Sequence, residues 1–404
     1  MHPDYLLRNH VCQELRQRWF SLTKDGWHDL VIGLIRDRQI EIALDVLEQI
    51  RREGIKIEAW LLDVMIYALC SVEEFDAALN LMEQRGSDGD IRISATVWYC
   101  FLDTASRAFH HSATLFAFRA RVETFYLNPS AGMCINILST AARHADTYLA
   151  TSILRILGRR SGNPIQLHHY EALLETYIAA DDIRTALTLL TIMSAAGQAP
   201  IEASTRPVYT YLCQSPTLPA KAISILTDLH EEDRKIPVQA ANVVLQARIF
   251  HRDLPAALSL YKNLHRLGHD LGPDTATFNI LFRGCAQAVR KDLAMFLASE
   301  MVALKITPDA LTYDRLILVC LNSEDSIEDA WRYFEEINAL GWWPRDGTSL
   351  VLAKRACEQS DRRIWKLERI SDGKGIPTLR LQELIRNHWQ GGAEEVQKEL
   401  NRGR

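Results

Sequence analysis

Apolar residues recur along this chain on a fixed beat. Alanines at 43, 78, 113, 150, 186, 222, 257, 294 and 330 are 35, 35, 37, 36, 36, 35, 37 and 36 residues apart. The third and fourth residues after each are apolar, as in Val46 and Leu47, Ile153 and Leu154, or Tyr333 and Phe334. Spacing of i, i+3 and i+4 paints one face of an α-helix, and a small residue near its start lets a neighbouring helix come close. A second apolar set precedes each alanine: Leu62, Met65 and Ile66 before Ala78, or Phe278, Leu281 and Phe282 before Ala294. Each period therefore holds two helices.

Breakers separate the periods: Gly54, a polar stretch around Gly89, then Pro129, Pro164, Pro200, Pro237, Pro273, Pro308 and Pro344. Proline ends a helix and is tolerated where the next begins, so it marks the unit boundary. The pattern predicts an all-α protein, an α-solenoid of about nine or ten helix-turn-helix repeats of 35–37 residues. Residues 1–24 read as an N-terminal capping helix and 25–345 as the repeat array. Residues 346–404 read as a degenerate repeat with C-terminal capping helices near 378–388 and 393–400.

Composition narrows the function classes. Only 19 Gly and 13 Pro in 404 residues leave little room for long loops. The net charge of −5 lacks the basic excess that alone would argue for nucleic acid; residues 345–404 carry 13 Lys+Arg against 9 Asp+Glu, leaving −9 elsewhere. Eight scattered cysteines form no C-x-x-C pair, which argues against a zinc site or a disulfide framework and fits a reduced compartment. The chain has no run of about 18 apolar residues, so no membrane span is expected. No phosphate-cradling glycine loop, nucleophile elbow or H-E-x-x-H is present, so the chain is read as non-enzymatic, with no metal and no cofactor.

Two stretches state the repeat most clearly: Pro273-Asp274-Thr275-Ala276-Thr277-Phe278-Asn279 and Pro308-Asp309-Ala310-Leu311-Thr312-Tyr313-Asp314. Their Thr-aromatic-polar opening, small second-helix residue and Pro-Asp close resemble the pentatricopeptide repeat, over roughly residues 25–345. The tetratricopeptide alternative, with a Trp-x-x-Leu-Gly opening, has no counterpart here.

The resemblance implies binding of single-stranded RNA at one base per repeat. It implies that the residue after the first-helix aromatic reads the base edge together with the last residue of the same repeat. On that reading Asn242 works with Asp274, Asn279 with Asp309, Asp314 with Arg345, and Asn136 with a residue near Gln166. The first two are the Asn/Asp combination that the family associates with pyrimidines, chiefly uracil. The competing reading of the same residues is helix capping and turn chemistry.

The family also implies an organellar, mitochondrial-matrix setting, with organellar mRNA or rRNA as partner and a role in RNA stability, processing or translation. The alternative is a protein-protein scaffold, such as a complex-assembly factor or a subunit associated with the mitochondrial ribosome. The acidic repeat region and Trp342, Trp343 and Trp389, residues of a type that anchors interfaces, favour that alternative.

Overall fold

The computed structural model describes residues 5–87, 93–159, 165–267, 272–323, 327–365 and 367. The expected C-terminal caps near 378–388 and 393–400, Trp389 and the polar stretch around Gly89 lie outside these residues. Among the described residues there are twenty α-helices and no strand.

The chain divides into two compact units, Met1–Asp182 and Ile183–Arg404. In the first, α1 (Tyr5–Gln17) precedes four helical hairpins. These are α2 (Lys24–Arg36) with α3 (Ile40–Arg52), and α4 (Ala59–Ser71) with α5 (Phe75–Ser87). Next come α6 (Ala95–Arg107) with α7 (His111–Ala117), which runs on into a π-helical turn at Phe118–Val122, and α8 (Ala131–Arg143) with α9 (Thr147–Gly158). Helix α10 (Leu167–Ala179) ends this unit.

The second unit opens with α11 (Ile183–Ala195). Its hairpins are α12 (Glu202–Leu212) with α13 (Leu218–Glu231), and α14 (Val238–Phe250) with α15 (Leu254–Lys262). The last two are α16 (Thr275–Gln287) with α17 (Lys291–Ala303), and α18 (Ala310–Asn322) with α19 (Glu328–Ala339). Helix α20 (Asp346–Glu358) follows. Each unit is a run of tandem helix-turn-helix repeats, the α-solenoid class.

The nine periodic alanines all sit within the first five residues of a second helix, and each has 0% exposure. A side chain no larger than a methyl is what the helix crossing there admits, because interiors are packed to crystal-like density. Within the second unit the first helices pack side by side, α14 on α16 and α16 on α18, and build one face. Proline behaves in two ways. Pro237 caps α14 from outside, whereas Pro207 sits inside α12, which continues through it.

Where three residues join a first helix to the helix that follows it, the middle one is left-handed. Arg38, Glu73, Phe109, Ala145, Asp181, Arg252 and Val289 all have φ between 53° and 63°. In the first of these turns Gln39 N–H donates to Leu34 O (2.9 Å) and Arg38 N–H to Ile35 O (3.0 Å). That is the Schellman pattern, which satisfies the last carbonyls of the first helix. Glycine is the residue such a position favours, yet none of these seven is glycine.

Val289 is the most strained by its chemistry, since a β-branched residue resists φ of 53° and its side chain is 53% exposed. Val289→Gly is expected to stabilise the second unit by about 1 kcal/mol, the released strain exceeding the added unfolded-state entropy. A rise in the urea midpoint at constant slope is the expected reading; a fall would show that Val289 packing outweighs backbone strain.

Candidate nucleic-acid interface

The Asn/Asp pairs are built by helix capping. Asp274 precedes α16 and its Oδ1 accepts from the Thr277 backbone N–H (2.8 Å), while the Asp274 N–H donates to Thr277 Oγ1 (3.1 Å). This reciprocal capping box satisfies two orphan donors at the start of α16. Asn242, the fifth residue of α14, joins it from the neighbouring first helix: Asn242 Nδ2 donates to Asp274 Oδ1 at 2.9 Å. Thr277 Oγ1 lies 2.7 Å from Asn242 Oδ1 and 2.8 Å from Asp274 Oδ1, and its single proton serves one of them at a time.

The arrangement repeats one period on. Asp309 Oδ1 accepts from the Thr312 N–H (2.8 Å) and from Asn279 Nδ2 (3.1 Å), and Thr312 Oγ1 stands 2.9 Å from Asn279 Oδ1. The capping reading and the pairing reading thus describe one network. Each Asn–Asp pair leaves the same capacity unspent: the second Asn Nδ2 proton, and an Asp Oδ2 that accepts from no described residue. One donor beside one acceptor is what remains.

Burial tends to raise the Asp309 pKa. The hydrogen bonds from Thr312 and Asn279 outweigh it and hold the carboxyl below its usual value. A depressed folded pKa contributes stability that is present above the unfolded value of 3.8 and lost as pH falls through the folded one. Asp309→Asn is expected to flatten the acid limb of the stability-against-pH curve, measured by thermal melts from pH 6 downward to about 2, the range over which a depressed carboxylate is lost. An unchanged limb would remove Asp309 from the network's charge balance.

The third pairing differs. Asp314 is the fifth residue of α18 and is buried; its Oδ1 accepts from the Arg345 backbone N–H (2.9 Å), and its Oδ2 has no partner. Where the asparagines donate to a cap carboxylate, Asp314 accepts from the cap's N–H, and Arg345 caps α20 without any side-chain bond.

Asn136 falls elsewhere. Helix α8 begins at Ala131 because Ser130 caps it, its Oγ accepting from Met133 N–H at 3.2 Å. The fifth residue is therefore Ile135, and Asn136 is sixth, the position of Ile280 and Arg315 in later repeats. The fifth position is Tyr99 in α6, where Ser94 caps, and Arg206 in α12. For α6 and α8 the signal was in the sequence as the capping serines Ser94 and Ser130.

Asn242, Asp274, Asn279 and Asp309 line one groove of about 720 Å³ in the second unit, which Arg283, Arg315 and Arg345 also line. Asn136 lies in the other unit, and Asp314 is buried behind the groove wall. Elsewhere, burial pushes the Cys70 and Cys285 thiols up to about 11, far from nucleophilic at neutral pH. Among the described residues no three His, Cys, Asp or Glu side chains converge as metal ligands, and no helix is long and apolar enough to cross a membrane.

Residues 131–264 match a family model described as a pentatricopeptide repeat-containing protein, and residues 259–323 match the pentatricopeptide repeat domain. Residues 131–323 thus carry pentatricopeptide repeats. The crystal structure of the pentatricopeptide repeat protein PPR10 from maize is similar at 13% identity and a TM-score of 0.38, covering 94% of this chain and 62% of that one. Two structures of PPR10 in complex with an 18-nt psaJ RNA element match at 13% identity and a TM-score of 0.34, covering 83% of this chain and 58% of theirs. The chain thus spans less than two thirds of the PPR10 chains. No curated protein matches it significantly.

Proposed function

We propose that this protein binds single-stranded RNA along the first helices of its second unit, preferring uridine where Asn242–Asp274 and Asn279–Asp309 stand. The observation that carries this reading is the repeated unspent edge, one amide N–H beside one carboxylate oxygen, at two successive repeats lining the same groove. Uracil offers the complement, a carbonyl acceptor next to the N3–H donor. Single-stranded recognition works on such splayed base edges.

The setting we propose is the mitochondrial matrix, with organellar mRNA or rRNA as partner and RNA stability, processing or translation as the process. Its support is the family's usual occupation. Fluorescence anisotropy with uridine-rich and adenosine-rich oligonucleotides tests the binding itself: tighter binding to the uridine-rich strand is expected, and equal or absent binding would refute it.

A second reading has its own observation. In the first unit the fifth positions Tyr99 and Ile135 carry side chains without the paired amide and carboxylate edge, and both stand more than a third exposed, as do Trp60, Val64 and Tyr67 of α4. That face suits a protein partner, such as a ribosome-associated or assembly complex. Partners that survive ribonuclease treatment of an organelle extract would favour this scaffold role.

A further inference from the structure

Three arginines converge where the third base reader would stand. Arg283 is the ninth residue of α16, Arg315 the sixth of α18, and Arg345 caps α20, so they come from three consecutive first helices and line one groove. None has an ion-pair partner among the described residues. Elsewhere this chain pairs its arginines readily: Arg184 holds Asp228 and Glu232, and Arg363 holds Asp361 and Glu328.

Arg315 is the telling member. It is half-buried, and none of its five N–H donors reaches an acceptor on a described residue. Burial does most to push its pKa down and Arg345 pushes the same way; Asp314 pulls against them by more than Arg283 adds. Asp314 forms no ion pair with it: its Oδ1 accepts from the Arg345 backbone N–H and its Oδ2 is bonded to nothing. Of the groove's other acids, Asp274 and Asp309 are tied to their capping threonines and asparagines, and Glu202 lies toward α12, two first helices from Arg283.

We propose that Arg283, Arg315 and Arg345 bind a backbone phosphate of single-stranded RNA, so that the third station of the groove clamps the chain next to Asn279–Asp309 and reads no base. Guanidinium forks match phosphate oxygens two at a time, and a charge already half-desolvated loses little more water on binding. The inference rests on the RNA reading above and adds the phosphate contacts to it.

The test is a salt titration of binding to a uridine-rich RNA 12-mer by the full chain, by Arg315→Gln, by Arg283→Gln with Arg315→Gln, and by Arg52→Gln as a charge control. Arg52 is exposed on α3 and pairs with Glu48. The slope of log K against log salt is expected to shrink by about 0.7 for each phosphate that the variant no longer neutralises. Affinity should fall about tenfold for Arg315→Gln, as expected when a hydrogen bond to a charged group is removed. The control should match the parent chain. Because Arg315 is unpaired, Arg315→Gln should melt no lower than the parent, which separates a defect in binding from a defect in folding.

Unchanged slope and affinity in both arginine variants, with the parent binding RNA, would overturn the phosphate station and leave the base-reading account standing. Inorganic pyrophosphate supplies the other arm. If the parent binds no RNA yet pyrophosphate raises its melting temperature and not that of Arg315→Gln, the anion station stands and the RNA reading falls; no shift in either protein, with no RNA bound, overturns both.

Discussion

Trp331→Ala is expected to destabilise the second unit by about 3–5 kcal/mol, a large share of the 5–15 kcal/mol typical of a whole domain. Trp331 is 1% exposed and lies among Ile317, Cys320, Phe334, Ile337, Leu352 and Ala353, so truncation opens a cavity between α18, α19 and α20. Its ring stands edge-on to Phe334 with centroids 5.5 Å apart, and its Nε1–H donates to Asp361 Oδ2 at 2.9 Å. Asp361 is also held by Arg363, which reaches Glu328 at the head of α19. Trp331→Phe keeps most of the volume and removes the donor, and should cost about 1–2 kcal/mol. Calorimetric melts of the two variants apportion the effect; equal, small losses of stability would show that the end of the repeat run is not held by this packing.

The second large effect concerns recognition. Asn242→Ala combined with Asn279→Ala is expected to abolish the preference for uridine and to weaken binding roughly a hundredfold, taking each two-point base contact at about 1–3 kcal/mol. The capping boxes survive the change, because Asp274 and Asp309 keep their bonds to Thr277 and Thr312. The double variant should therefore keep its helical signal. Uridine preference retained in a folded double variant would place recognition elsewhere on the molecule.

How much of this was readable beforehand depends on which forces set each feature. The periodic alanines were legible because helix crossings tolerate nothing larger, and all nine are fully buried. The last repeats were legible because Pro-Asp, Thr and an aromatic mark both the cap and the first buried turn. Upstream the register is less plain: Asn136 is the sixth residue of α8 and not the fifth. In α6 and α8 the helix start is set by the residue before it, Ser94 or Ser130, and buried positions can hold an aromatic or not: Trp98 occupies the place of Phe278, while Cys134 does so in α8.

The hairpin turns were hidden for a different reason. Their left-handed residues are Arg, Glu, Phe, Ala, Asp and Val, so no glycine announces them, and the short geometry is enforced by the packing of the helices on either side. The arginine cluster was hidden because it is tertiary. Arg283 and Arg315 stand at unlike positions, ninth and sixth, and only the side-by-side packing of α16 on α18 brings them to one groove.

The central claim is that an Asn N–H and an Asp oxygen at two successive repeats together read the Watson–Crick edge of a pyrimidine. The most direct measurement compares the affinity of the chain for a uridine-rich RNA with that for the same strand carrying N3-methyluridine, which keeps charge, stacking and carbonyls but removes the N3–H. Removing a proton that two carboxylates would accept is predicted to weaken binding at least tenfold, with an unchanged salt slope. Equal affinity for the two strands would contradict the account.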